Sequence, residues 1–124
     1  MLPPQILLVD DEPNIVMSLE FLMRKNGYSV GIARNGGEAL AAIHETPYDL
    51  VLLDVMMPDV DGYQVCRQIR ESPDRTNTKV IFLSAKSQAA DVQKGYEAGA
   101  DLYIPKPFST RQLMEKVREL LAKK

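Results

Sequence analysis

Four groups of polar residues in this 124-residue chain stand where they can do chemistry: Asp10-Asp11-Glu12, Asp54, Ser84-Ala85 and Pro105-Lys106-Pro107. Each follows an apolar run, and together they supply what a phosphate or metal site requires: carboxylate oxygens, a hydroxyl and an ammonium. With a charged residue type at about 6% of an average chain, three aspartates and one lysine at set places arise by chance roughly once in 10⁵ registers. Asp54 is the most telling member. A carboxylate that closes the run Leu50-Val51-Leu52-Leu53 is costly at the end of a buried strand unless it has a partner, so it marks a functional position. Alone, Ser84 reads as a turn hydroxyl, Lys106 as a solvated lysine, and Asp10-Asp11 equally as an acid cluster favoured by a helix N-terminus. Their joint occurrence makes them one candidate site.

The elements that must position these groups are legible as apolar patterns. Ile6 to Val9, Leu50 to Leu53 and Val80 to Leu83 are short runs without alternation, the pattern of strands buried on both faces of a parallel sheet. Weaker strands are expected at Tyr28 to Ala33 and Leu102 to Ile104. Helical spacing links Ile15, Leu19, Leu22 and Met23, and again Leu113, Val117, Leu120 and Leu121. Asn35 with Glu38, Asp61 with Gln64, and Ser109 with Gln112 form capping pairs at helix starts. Gly27 and Gly99 stand where helices stop. The outcome is five strand-then-helix units with the spacing of right-handed crossovers. In such an open α/β sheet, ligands bind beyond the carboxyl ends of the strands, where the four groups lie. The polar stretch 71–78 is a connection, and residues 1–124 form one domain.

The stretches ILLVDDEPN, DLVLLDVMMPDVDGYQV, VIFLSA and ADLYIPKPFS resemble those of the response-regulator receiver domain, the phospho-accepting switch of bacterial two-component signalling. The resemblance spans essentially the whole chain. It implies a doubly wound, flavodoxin-like α/β fold with a five-stranded parallel sheet of order 2-1-3-4-5 and five flanking helices. It implies that Asp54 accepts the phosphoryl group, that Asp10 and Asp11 are the acidic pair, and that Ser84 and Lys106 are the family's hydroxyl and lysine. Tyr103 is then the switch aromatic, and the Lys106-Pro107 peptide is cis. If the first and third strands are neighbours, their ends lie about 5 Å apart. Two carboxylates at that distance repel by roughly 3 kcal/mol at an effective dielectric near 20, so a divalent cation is needed. Oxygen ligands without His or Cys favour Mg²⁺, with Mn²⁺ as a substitute. Asp11 and Asp54 bind it directly and Asp10 through water; the Met56 carbonyl joins them by resemblance alone.

The same resemblance implies a phosphohistidine donor on a sensor histidine kinase or phosphotransfer protein. The chain is then a phosphoacceptor that assists its own phosphorylation and dephosphorylation, not an enzyme acting on other substrates. Readout runs through the face made by the fourth helix, fifth strand and fifth helix, which serves a homodimer or an attached output domain, the chain being either a free-standing switch or the N-terminal part of a longer regulator. Residues 94–102 are partly similar to the winged-helix group, with Leu102 where that group usually has an acid.

Composition excludes several other classes. Fifteen Lys and Arg against seventeen Asp and Glu leave no basic face for direct nucleic-acid binding. One cysteine and one histidine supply neither an internal disulfide nor a zinc cage; Cys66 is expected to pack inside and His44 to lie on the surface. No run approaches the eighteen apolar residues of a membrane span, and no signal-peptide pattern precedes the first strand, which leaves a cytoplasmic protein. A phosphatase or mutase of the haloacid dehalogenase type places a second aspartate where this chain has Met56. A nucleotide or flavin carrier needs glycines in the first turn, which here reads Asp-Asp-Glu-Pro-Asn. A degenerate scaffold is opposed by the retention of every site residue.

Overall fold

The structure is a computed structural model, described for residues 2–75 and 77–123. Strands and helices alternate as β1 (Gln5–Val9), α1 (Pro13–Lys25), β2 (Ser29–Ala33), α2 (Gly36–Glu45), β3 (Leu50–Leu53), α3 (Gly62–Glu71), β4 (Lys79–Ser84), α4 (Ala89–Glu97), β5 (Leu102–Pro105) and α5 (Thr110–Ala122). The five strands form one parallel sheet of order β2-β1-β3-β4-β5. The expected order and element count are therefore present.

The three apolar runs lack alternation because both sides of the sheet are covered. On one face Leu7, Val9, Val51, Leu53, Val80 and Phe82 pack with Ala39 and Ile43 of α2 and Val65, Cys66 and Ile69 of α3. On the other, Ile6, Leu8, Leu50, Leu52, Ile81 and Leu83 meet Leu19 and Met23 of α1 and Leu113, Met114 and Val117 of α5. Successive residues of a strand thus feed opposite cores, as the two-residue period of a strand requires. The edge strand β2 is only partly covered, which explains its weaker signal.

The helix ends follow the expected chemistry. Asn35, Asp61 and Ser109 accept from the N–H groups of Glu38, Gln64 and Gln112 at 2.8, 2.9 and 3.2 Å. Gly27 and Gly99 take φ of +89° and +105°, the left-handed conformation glycine adopts at helix ends. Two details differ. Tyr28 lies in the turn, so β2 starts at Ser29; its N–H closes the end of α1 on the Met23 carbonyl instead of joining the sheet. The stretch 71–78 holds a short 3₁₀ turn, Pro73–Arg75; position 76 lies outside the described residues. A capping box between Gln88 and Asp91 starts α4, where the sequence carries neither of the usual N-cap hydroxyls.

Gly95 sits inside α4, where glycine is disfavoured by about 1 kcal/mol relative to alanine. The reason is packing. A Cβ at this position would lie 2.6 Å from Cδ2 of Tyr103 and 3.2 Å from Cδ2 of Phe82. Gly95→Ala is therefore expected to destabilise the protein by up to about 2 kcal/mol, because overpacking outweighs the gain in helix propensity. Urea unfolding measures this directly, and a stabilised variant would show that the Tyr103 ring gives way freely.

Candidate functional site

The sheet register brings the polar groups to one end. Val9 pairs with Leu53 across β1 and β3, so Asp10 and Asp54, each one residue further on, emerge side by side. Their backbone N–H groups continue the ladders, to the Ala33 and Val9 carbonyls at 3.2 and 3.1 Å. Ser84 pairs with Pro105 across β4 and β5, and the Lys106 N–H donates to the Ser84 carbonyl at 2.8 Å. The Lys106–Pro107 peptide is cis, as expected.

Lys106 crosses back over the sheet end. Its Nζ donates to Asp10 Oδ2 at 3.0 Å and lies 3.6 Å from Asp54 Oδ2. All three side chains are largely buried, at 14%, 6% and 10% exposure. The other Asp10 oxygen accepts from the Glu12 N–H at 3.0 Å. Asp10 is thus turned into the site and does not cap α1, which begins with Pro13 and has no side-chain cap. Asp11 is exposed at the rim. One carboxylate oxygen from each of Asp10, Asp11 and Asp54 lies within 4.8 Å of the others, an arrangement able to hold a metal ion.

Burial raises the Asp54 carboxyl above its ordinary value of 3.8; Lys106 pulls it down, Asp10 pushes it back up, and the Met56 N–H and Ser84 hydroxyl pull it down again, with the upward effects prevailing. Burial pulls the Lys106 ammonium down, but the hydrogen bond to Asp10 and the charges of Asp54, Asp10 and Glu12 outweigh it and raise its pKa. Lys106 is firmly cationic.

Ser84 is fully buried, and its hydroxyl accepts from the Lys86 N–H at 3.2 Å. The carbonyl of the same Lys86 accepts the Tyr103 hydroxyl at 2.7 Å. The Tyr103 ring lies inward against Phe82, with centroids 5.6 Å apart, and its backbone N–H donates to the Tyr96 hydroxyl of α4 at 3.2 Å. Met56 and Lys86 line a cavity of about 390 Å³ beside Asp11, with Tyr63 and Lys94. All the expected site residues therefore lie at the carboxyl end of the sheet, in two connected groups: Asp10, Asp11, Asp54, Lys106 and Met56, then Ser84 and Tyr103 joined through Lys86. Cys66 is buried, its thiol pushed up to about 11 by desolvation, and takes no part.

The response regulator receiver domain model matches residues 6–118. The chain belongs to this family. It is 47% identical over 117 residues to the transcriptional regulatory protein ResD of Bacillus subtilis, covering 94% of this chain and 48% of ResD. The receiver thus spans about half the length of that relative. A CheY-like receiver domain protein from Methanospirillum hungatei superimposes with a TM-score of 0.92 at 33% identity, covering 98% of this chain and 95% of that one. The receiver domain of the sensor histidine kinase PA1611 from Pseudomonas aeruginosa matches with a TM-score of 0.90 at 29% identity over 98% and 99% of the two chains; that structure has a magnesium ion coordinated in its active site cleft. No helix of this receiver, among the described residues, is long and apolar enough to cross a membrane.

Two acids, Asp59 and Asp61, stand in the loop before α3. Only Asp61 caps α3. Both Asp59 oxygens turn to α2, accepting from the Gly36 and Gly37 N–H groups at 2.9 Å each. The Gly36-Gly37 pair at a helix start was the available signal.

The raised Asp54 pKa fixes a pH dependence for the metal-free receiver. Between the unfolded value near 3.8 and the raised folded one, the native state binds more protons, so stability falls as pH rises and Asp54 ionises. Asp54→Asn is accordingly expected to raise Tm at neutral pH by about 3–5 °C, roughly 1 kcal/mol for a chain of this size. The gain should vanish below about pH 4. Thermal melts in chelator at the two pH values test this, and equal Tm values at pH 7 would refute it.

Proposed function

We propose that residues 1–124 work as one phospho-accepting switch, in which Asp54 takes a phosphoryl group from a phosphohistidine on a sensor histidine kinase or phosphotransfer protein. The observation that carries this reading is the gathering of Asp54 with the acids Asp10 and Asp11 and the cation Lys106. Attack by an Asp54 carboxylate oxygen forms the O–P bond as the P–N bond breaks. The electron pair leaves with the donor imidazole, which then takes up a proton from solvent. Little covalent chemistry is asked of the receiver, so positioning and charge neutralisation do the work.

The donor set fits Mg²⁺, with Mn²⁺ as a substitute: three carboxylates within 4.8 Å of one another, all hard oxygens. Asp10, Asp11, Asp54 and the Met56 carbonyl would hold the ion, which when bound neutralises charge on the phosphoryl oxygens. Lys106, already between Asp10 and Asp54, is placed to pair with one of those oxygens and the Ser84 hydroxyl to donate to another. The wholly oxygen ligand set and the aspartate at the end of β3 fit this reading.

Readout follows from the two hydrogen bonds at Lys86. Movement of the Ser84 hydroxyl toward a phosphoryl oxygen loosens its bond to the Lys86 N–H, and the Lys86 carbonyl holds the Tyr103 hydroxyl. Tyr103 in turn touches Gly95 and Tyr96 of α4. Phosphorylation would thereby shift the population of arrangements on the α4-β5-α5 face, serving a homodimer or an output domain such as the second half of a transcriptional regulator.

Incubation with acetyl phosphate or phosphoramidate and Mg²⁺ is expected to add the mass of one phosphoryl group to the intact chain, and Asp54→Asn to add none. Undiminished labelling of that variant would sink the assignment. Beryllofluoride is expected to shift the ring resonances of Tyr103; unchanged resonances would remove the aromatic switch and leave the phosphorylation standing.

A further inference from the structure

We propose that Asp59 is a positioning residue for the metal site: it clamps the loop that carries Met56 onto the N-terminus of α2 and so fixes the Met56 carbonyl beside Asp54. The inference rests on the metal-assisted phosphotransfer proposed above and adds a residue to it.

The loop 54–61 is anchored at both ends. The Asp54 N–H is tied to β1, and at the far end the Gly62 N–H donates to the Val55 carbonyl at 2.9 Å while Asp61 caps α3. Between these anchors Met56 has little of its own to hold it. The residue is 56% exposed, and its N–H makes only a long 3.3 Å contact with Asp54 Oδ1. The apex is held by Met57 and Val60, which pack against the core, and by Asp59, whose Oδ1 and Oδ2 each accept at 2.9 Å from successive N–H groups of a helix 22 and 23 residues away in sequence. Backbone hydrogen bonds, that from Gly37 foremost, lower the pKa of this exposed carboxyl, so it stays charged and accepting.

Capping alone does not account for this contact. Helix α2 has its own N-cap: Asn35 accepts from the Glu38 N–H, and Glu38 reaches back to the Arg34 N–H at 3.0 Å. The N–H groups of Gly36, which is buried, and Gly37 are among those a helix start leaves without an intrahelical partner, and the Asn35 side chain takes neither. Their sequence is instead adapted to the loop. A Cβ on Gly36 would lie 2.6 Å from the Val60 carbonyl oxygen and 2.7 Å from Val60 Cβ, and one on Gly37 would lie 3.2 Å from Asp59 Oδ2. Two glycines at the start of a helix cost helix propensity; here they let the loop approach to hydrogen-bonding distance. A clamp three residues from Met56 sets where that carbonyl points, in the way that groups behind a metal ligand orient it.

The test is the Mg²⁺ dissociation constant of the full chain, from amide chemical shifts or calorimetry, for wild type, Asp59→Ala, Asp59→Asn and Asn35→Ala. Asp59→Ala is expected to bind Mg²⁺ about tenfold more weakly, the lower end of the range for residues that orient a ligand, and Asp59→Asn to fall between it and wild type. Asn35→Ala weakens the same helix start without touching the loop; it should lower Tm but keep the dissociation constant within about twofold. If Asp59→Ala does not fold, Asp59→Asn carries the comparison. Equal Mg²⁺ affinity in wild type and the Asp59 variants, or equal weakening by Asn35→Ala, overturns the inference and leaves the proposed function intact. A wild-type chain that binds no Mg²⁺ removes the proposed metal-assisted function, and the role of Asp59 with it.

Discussion

Two carboxylates, Asp10 and Asp54, are buried side by side because a parallel register places the residues after Val9 and Leu53 next to each other. That juxtaposition is unfavourable in itself, since like charges a strand spacing apart repel by several kcal/mol in a partly dry environment. The fold tolerates it through Lys106, which reaches from the end of the edge strand β5 across Ser84 to both acids. The order β2-β1-β3-β4-β5 is what puts that lysine two strands from Asp54, within the span of its four-carbon stem. A shift of one residue in the register of β1 against β3 would turn one of these acids to the opposite face and into the apolar core.

The two hydrophobic layers give this arrangement its rigidity. Because alternate residues of β1, β3 and β4 enter opposite cores, each central strand is locked on both sides, and the polar residue that follows it is aimed by the last buried pair. The aromatic chain of Tyr63, Phe82 and Tyr103 extends the packing from α3 across the sheet to β5 and the flank of α4. Lys86 then connects it to the site with one N–H and one carbonyl. Backbone groups of a single residue thus join a polar centre to a packed surface, and no separate relay of charged side chains is required.

Most of this was legible in the sequence for a definite reason. Apolar runs without alternation specify strands buried on both faces, and the polar residue closing each run is fixed by chain connectivity, so Asp10, Asp54, Ser84 and Lys106 could be placed before any coordinates. Capping residues such as Asn35 and Ser109 act within three positions of themselves and leave a local signature. What escaped the sequence acts across distance. Asp59 binds a helix start 22 residues away, and nothing around it distinguishes it from Asp61, whose partner is local. Arg70 similarly bonds the Gly99 carbonyl and Asp101, a contact set by the tertiary fold alone. Resemblance singles out Tyr103 as the switch aromatic, but the vacancy that admits its inward ring, the missing Cβ of Gly95, is written in a residue that otherwise only weakens a helix.

The electrostatics of the cluster connect stability to chemistry. Three carboxylates with one firmly protonated lysine leave the site at a formal charge of −2, concentrated within a few ångströms at the end of the sheet. Burial and Asp10 together raise the Asp54 carboxyl even with Lys106 at 3.6 Å, so the ammonium alone does not balance the group it faces. A charge of that size and sign, offered by hard oxygens, suits a divalent cation better than a second lysine, whose bulk and strongly hydrated head would fill the space in front of Asp54. The imbalance is therefore useful: it leaves Asp54 costly to ionise in the bare protein, reachable from solvent past the exposed rim at Asp11 and Met56, and best relieved by cationic charge close to its own oxygens. Stability is given up where these strand ends gather their acids, and the apolar layers on either side of the sheet offset that cost.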